Sequence, residues 1–183
     1  MSERDYALFG LLGPLTAIFF VVIAIIFSPW FSWTSNALSD LGHSINSEVA
    51  PLFNFGLLLS GFFIIIYSIT TCRSFAKYTS YFLVIVGLSL QLVASFDEVY
   101  GSLHYTVSVL FFAALGFASF IYAIEKKSAI TFAALIIGFS SWILYWAGIY
   151  NAGISVPEAI SSTTFFAWIM LYALRIYFEK SIK

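Results

Sequence analysis

Charge is what this sequence has least of. Only 9% of its 183 residues are Asp, Glu, Lys or Arg, where a soluble domain carries about 25%. A chain with so few charges has no adequate polar surface to show to water, which excludes a freely soluble domain. Cysteine is nearly missing as well. Cys72 stands alone, so an intrachain disulfide is impossible and CxxC-type metal or redox motifs are absent. Walker A, HExxH and GxSxG patterns do not occur. Histidine appears twice, as His43 and His104, so a nucleophilic serine could take its usual base only from these two. The net charge of −1 gives no reason to expect nucleic acid as a partner.

Apolar residues fill the space that charge leaves: 61% of the chain is hydrophobic, with a mean hydropathy of +0.97. They gather into six runs, about 7–27, 51–71, 78–95, 103–124, 129–148 and 157–178. Each approaches the roughly 20 residues needed to cross about 30 Å of hydrocarbon. The runs are continuous, unlike barrel strands, which alternate over about ten residues. The expected fold is therefore all-α: one polytopic transmembrane domain, 1–183, of six helices. The first run exceeds a signal-peptide core of about 7–15 residues and lacks a small-x-small site, so it reads as a retained span. The third run is the shortest and is expected to borrow residues from the loop after it.

The basic residues give an orientation. Arg4 precedes the first span, Arg73 and Lys77 separate the second and third, Lys126 and Lys127 separate the fourth and fifth, and Arg175, Lys180 and Lys183 end the chain. With six spans all eight share one side, which the positive-inside rule makes cytoplasmic. The expectation is a multi-pass cell-membrane protein with both termini inside and loops 28–50, 96–102 and 149–156 outside. Asp40, Glu48, Asp97, Glu98 and Glu158 then lie at the outer side, and Glu3, Asp5, Glu125 and Glu179 at the inner. The outer side carries both histidines and no fixed positive charge. It either attracts a cation, a protonated histidine or a metal, or is a solvated acidic rim. In the first outer loop Trp30 and Trp33 suit an interfacial belt. Ser35 is expected to cap a short helix over Asn36–Leu41, with Gly42 as its left-handed stop and Pro51 in the first turn of span 2. Gly56 with Ser60, Ala114 with Ala118, and Ala134 with Gly138 read as close helix packing. No internal repeat is visible, so the inverted-repeat signature of many transporters is missing.

Asp97, Tyr100, His104 and Ser108 recur at intervals of three, four and four, which predicts one helical face descending from the outer surface. His104 is the sharpest candidate, because an ionisable group below the interface needs a partner or a watery cavity. Asp97 or Asp40 would orient its ring and Ser108 would bond to it; the alternative is an interfacial histidine bonded to a carbonyl, without chemistry. Ser95 with Glu98, and Ser155 with Glu158, match capping boxes, the second reinforced by Pro157. Gln91 and Asn54 are buried amides that need partners, Gln91 being nearer the polar cluster. Tyr145, Trp146, Tyr150 and Asn151 wall a pocket or form a belt. His43, His104, Asp40 and Asp97 would make a four-donor metal set, yet no spacing enforces it. A bis-histidine haem is disfavoured by the loop position of His43. Metal and cofactor are thus left open.

The segment Asn36-Ala-Leu-Ser39-Asp40-Leu41-Gly42, with His104, Ser108 and Phe111-Phe112 later, resembles the prokaryotic family known as domain of unknown function 998, small six-helix membrane proteins. A more distant similarity links it to a eukaryotic family of autophagy modulators and a GPI-lipid remodelling factor. The nearer family shows Phe-Pro before the histidine, where this chain has Ser95-Phe96-Asp97-Glu98. The resemblance implies no established activity; it implies that Asn36, Ser39, Asp40 and His104 form a shared site. The functional expectation is a polar pocket at the outer leaflet that takes a membrane lipid or other amphiphile. Asp40, Asp97 and His104 are its candidate catalytic groups, and Asn36, Ser39, His43, Gln91, Tyr100 and Ser108 its candidate ligand contacts. A hydrolase or transferase with His104 as base is the enzymatic version. Rival readings are a structural or assembly protein and a small-molecule or proton-coupled transporter, the latter wanting a polar path inward that the spans lack. Homo-oligomerisation stays open.

Overall fold

Inside hydrocarbon each backbone N–H and C=O must find its partner within the protein, and a continuous apolar run does so as a helix. A computed structural model describes residues 3–179. It contains six long helices: α1 (Phe9–Ile26), α2 (Ala50–Tyr67), α3 (Lys77–Ser95), α4 (Ser102–Glu125), α5 (Ala129–Trp146) and α6 (Ser155–Glu179). A short turn of helix, Glu3–Ala7, leads into α1, and α2 runs on through a wide π-turn, Ser68–Cys72, to Phe75. All six are long and apolar enough to cross a membrane, and no strand occurs among the described residues. These features define a multi-pass membrane protein. Counted as continuous spans, with the turn before α1 and the extension of α2 included, the shortest is α5 with 18 residues, not α3 with 19. Nor does α3 borrow from the following loop: it stops at Ser95, before a separate 3₁₀ turn, Glu98–Tyr100.

Consecutive helices pack as neighbours, and α6 returns to α1, so the six close into a ring. Without a hydrophobic force between helices in lipid, close approach depends on small residues. Backbone meets backbone where α2 crosses α3. A Cβ on Gly61 would lie 2.5 Å from the Gly87 carbonyl oxygen, and one on Gly87 would lie 2.7 Å from that of Gly61. Gly56 sits against Phe20 of α1, Gly138 against Ser161 of α6, and Ala114 and Ala118 are buried. On the far side Tyr122, Trp168 and Tyr172 interlock their rings, and Trp168 Nε1 donates to Ser119 Oγ at 3.1 Å.

The two ends of the ring differ in charge. Arg4, Arg73, Lys77, Lys126, Lys127 and Arg175 are at one end; Lys180 and Lys183 lie outside the described residues, as do the side chains of Glu3 and Glu179. At this basic end Arg4 stacks over Tyr177 at 4.3 Å and Lys126 over Phe75 at 3.9 Å. Glu125 caps α3, accepting from Tyr78 N–H, Thr79 N–H and the Thr79 hydroxyl at 3.2, 2.9 and 2.7 Å. Asp40, Glu48, Asp97, Glu98 and Glu158 collect at the opposite end, among loops 27–49, 96–101 and 147–154.

The crossing at Gly61 and Gly87 is testable. Gly87→Val is expected to cost about 1–3 kcal/mol through overpacking, measured by SDS titration of the reconstituted protein. Gly116→Ala, whose new methyl meets only the movable ring edge of Phe139, is expected to cost nothing.

Candidate functional site

The first acid-end loop is built around Asn36. Its side-chain Oδ1 accepts from Ser32 N–H at 2.9 Å, and its Nδ2 donates to Asp40 Oδ2 at 2.7 Å. Ala37 N–H also donates to Asp40 Oδ2, at 3.0 Å, which bends the chain into a 3₁₀ turn over Ser39–Gly42. Gly42 then packs under α2, where Asn54 donates to its carbonyl oxygen at 2.8 Å and leaves no room for a Cβ.

Hydrogen bonds fasten this loop to the 147–154 loop, to the start of α6 and to the turn before α4. Gly153 N–H donates to the Trp33 carbonyl at 2.8 Å and Ser155 N–H to that of Asn36 at 3.1 Å. Leu38 N–H donates to Glu158 Oε2 and Ser39 Oγ–H to Glu98 Oε1, each at 2.7 Å. Glu98 also shares a side-chain hydrogen bond with Asp40, and Glu158 is within electrostatic reach of both. Two carboxyls can bond to each other only through a proton. Burial, followed by the Asp40 hydrogen bond and charge, raises the Glu98 carboxyl to about 7 against the lowering effects of Ser39 and His43.

Beneath the loop lies a cavity of about 230 Å³. Its walls are apolar and come from five helices, through residues such as Ala17, Phe53, Leu90, Phe111 and Phe166. Polar groups reach it from Ser39, Ser108, Glu158, Ser162 and Thr163. Val22 of α1 and Thr163 of α6 both line it and are both exposed, so it opens sideways between these helices. Next to the cavity, His104 is 9% exposed. Its Nδ1 is 2.7 Å from the Phe96 carbonyl oxygen and its Nε2 is 3.3 Å from Ser108 Oγ.

The expected site residues divide accordingly. Asn36, Ser39 and Asp40 come together, and so do His104 and Ser108; Ser39 and Ser108 face one cavity. Asp97 instead caps the 3₁₀ turn, accepting from Val99 N–H at 2.9 Å. Tyr100 is exposed and meets Phe96 edge-on. The expected four-residue face is broken because Gly101, with φ of 55°, separates the turn from α4. His43 is held by its own loop, its ring nitrogens meeting Ile45 N–H and the backbone and side chain of Asn46. Gln91 ties α3 to the Leu58 carbonyl of α2 at 3.2 Å. Tyr145, Trp146, Tyr150 and Asn151 do not line the cavity. No group of three or more His, Cys, Asp or Glu is arranged to hold a metal among the described residues.

Three local expectations need correction. Ser35 caps nothing, and Gly42 has no positive φ; its close contact with Asn54 and Phe53 explains the glycine. Ser95 Oγ donates to the Gln91 carbonyl, so Ser95 and Glu98 form no capping box. Glu158 is taken by Leu38 N–H and Ser155 Oγ by the Trp33 carbonyl, so the second box is absent too. Glu98 and Glu158 each meet a partner distant in sequence, Ser39 and Leu38, while Ser95 bonds to the carbonyl four residues before it. The roles of Glu98 and Glu158 at the cavity roof were missed for this reason. Gly153 was missed as well, although its missing Cβ is what admits the Asn36 backbone.

Fold and site together define a six-helix membrane bundle with an apolar cavity roofed by a carboxyl-bound loop. The family model described as "Protein of unknown function (DUF998)" matches residues 11–175, and the chain belongs to that family. No curated protein and no solved structure matches it.

The Glu98 carboxyl makes docking of the loop pH-dependent. Its value in the docked state is raised, so its contribution is full below the ordinary carboxylate value near 4.5 and is lost as pH rises through about 7. Amide protection over residues 36–42, corrected for intrinsic exchange, is expected to fall between pH 5 and pH 8. Glu98→Gln, which stays neutral and can still bond to Asp40 and Ser39, is expected to flatten that profile.

Proposed function

We propose that the protein binds a membrane amphiphile, with a hydrocarbon chain in the cavity and the polar head beneath the 36–42 loop. One observation carries this reading: an apolar cavity that opens sideways between α1 and α6 and has its polar groups at the loop end. A lateral opening suits a ligand that arrives from the bilayer. Volume narrows the class. Pockets for drug-sized ligands hold about 300–1,000 Å³, so about 230 Å³ suits one chain or a small amphiphile better than a whole two-chain lipid. In this reading the basic end is cytoplasmic, following the positive-inside rule. The carboxyl-rich roof then meets the outer leaflet of the cell membrane.

Transport receives less support. The cavity lining stops at Ala17, Leu57 and Phe166, near the middle of their helices. Beyond it Tyr122, Trp168 and Tyr172 pack ring against ring, leaving the basic half closed. A purely structural role gives no reason for a cavity that weakens packing.

Native mass spectrometry of protein released from nanodiscs of defined lipid tests the proposal. Wild type is expected to retain a single-chain amphiphile. Ala159→Phe, which pushes a ring into the cavity, is expected to lower retention about tenfold with an unchanged helical circular-dichroism spectrum. Equal retention by the two proteins would remove the cavity as the binding site.

A further inference from the structure

We infer that Ser108 is an acyl-accepting nucleophile, with His104 as its base and the Phe96 carbonyl fixing the imidazole; the substrate class is a carboxylic ester whose acyl chain occupies the cavity. The inference rests on the amphiphile reading above and adds a reaction to it.

The tautomer follows from the hydrogen bonds. A carbonyl oxygen can only accept, so His104 Nδ1, 2.7 Å from the Phe96 oxygen, carries the proton. Nε2 of the neutral ring then presents a lone pair to Ser108 Oγ at 3.3 Å. This is a nucleophile, a base and an orienting group in series, at a spacing usual for a site without substrate. The break at Gly101 permits it, because the chain reverses there and brings the Phe96 carbonyl back over the first turn of α4. Hydroxyls in apolar helices commonly bond to the carbonyl four residues back. In α4, Thr106 bonds to the Ser102 carbonyl and Ser119 to that of Leu115. Ser108 turns to the imidazole instead, and its side chain lines the cavity.

Depth agrees with the substrate class. Ser108 lies six residues into α4, about 9 Å along the axis at about 1.5 Å per residue. The headgroup layer is about 5–8 Å thick on each side of the hydrocarbon. With the start of α4 at the membrane surface, Ser108 is where ester carbonyls join acyl chains.

The step balances without an oxidant or reductant. Ser108 Oγ bonds to the ester carbonyl carbon while its proton passes to His104 Nε2. The bond from that carbon to the alcohol oxygen breaks, and the alcohol leaves with the proton from Nε2. Water attacks the acyl-serine, giving its proton to Nε2, and Nε2 returns a proton to Ser108 Oγ as the acid departs. A second alcohol in place of water gives acyl transfer by the same route.

The test uses the full chain in nanodiscs and a single-chain alkyl fluorophosphonate, which loses fluoride when a serine attacks its phosphorus. Peptide mass spectrometry is expected to find one adduct, on Ser108, formed at least about 100-fold more slowly in His104→Ala, as for loss of a general base. If His104→Ala does not fold, His104→Gln takes its place, since its amide can keep the bond to Phe96. No adduct, an adduct only on other serines such as Ser39 or Ser162, or equal rates in wild type and the variant overturn the inference. Amphiphile retention by wild type is measured in parallel. Retention without an adduct removes the nucleophile and leaves the binding reading standing. An adduct with a short-chain probe, without retention, does the reverse.

Discussion

The acid end of this bundle is held by carboxyl groups that accept hydrogen bonds from a loop lying over apolar surface. Leu38 N–H and Ser39 Oγ–H point away from water, and each finds its oxygen on a different part of the chain, Glu158 on α6 and Glu98 in the turn before α4. A polar group left unpaired in such a place costs about 1–3 kcal/mol. The loop can therefore lie flat only where both carboxyls are in position. Three acids in one place would repel one another if all were charged, and the hydrogen bond between Asp40 and Glu98 shows how one proton relieves this. The roof of the cavity rests on that arrangement together with Leu41, which is fully buried in the core.

Contrast between the two ends shows why residue type alone does not identify a site. Glu125 at the basic end is the same residue type as Glu158, but it meets three donors from the start of α3 and completes a helix that would otherwise begin with open N–H groups. Glu158 accepts one backbone bond, lines the cavity and stands near two further acids. The number of donors that meet each carboxylate separates the structural role from the candidate functional one. The same measure applies to the histidines. His43 is occupied by Ile45 and Asn46 of its own loop, whereas the Nε2 of His104 meets only a serine hydroxyl.

The six spans were legible because each apolar run is continuous and near membrane length, and helix is the one local solution such a run has. Packing was legible in part. Gly56 and Ser60 form a visible small-residue pair, but Gly61 and Gly87 are lone glycines on different helices, and only the crossing gives them meaning. The site was half legible. Asn36 and Asp40 cooperate over four residues, a distance at which sequence determines contact, whereas Ser39 bonds to Glu98 across 59 residues. Glu158 meets Leu38 across 120 residues, a pairing that no capping pattern anticipates. The spacing of Asp97, Tyr100, His104 and Ser108 would place them on one face of an unbroken helix. Gly101 was the visible signal against it, since a glycine between a turn and an apolar run marks a chain reversal as readily as a helix start. The cavity left no trace in the sequence, because its walls come one or a few residues at a time from five helices.

The two polar groupings meet through neighbours. Neither Asp40 nor His104 lines the cavity, but Ser39, adjacent to the first, and Ser108, bonded to the second, both do. That geometry separates two tasks. The carboxyl cluster can bind or release a proton and set how firmly the loop is held, while the imidazole stays on α4, anchored by the Phe96 carbonyl from the opposite side of Gly101. A change in the roof would then alter access to the cavity while His104 and Ser108 stay one turn apart on α4. Glu98, the titrating group, is nonetheless two residues from Phe96, whose carbonyl holds the imidazole, so the two tasks meet in one short turn before α4.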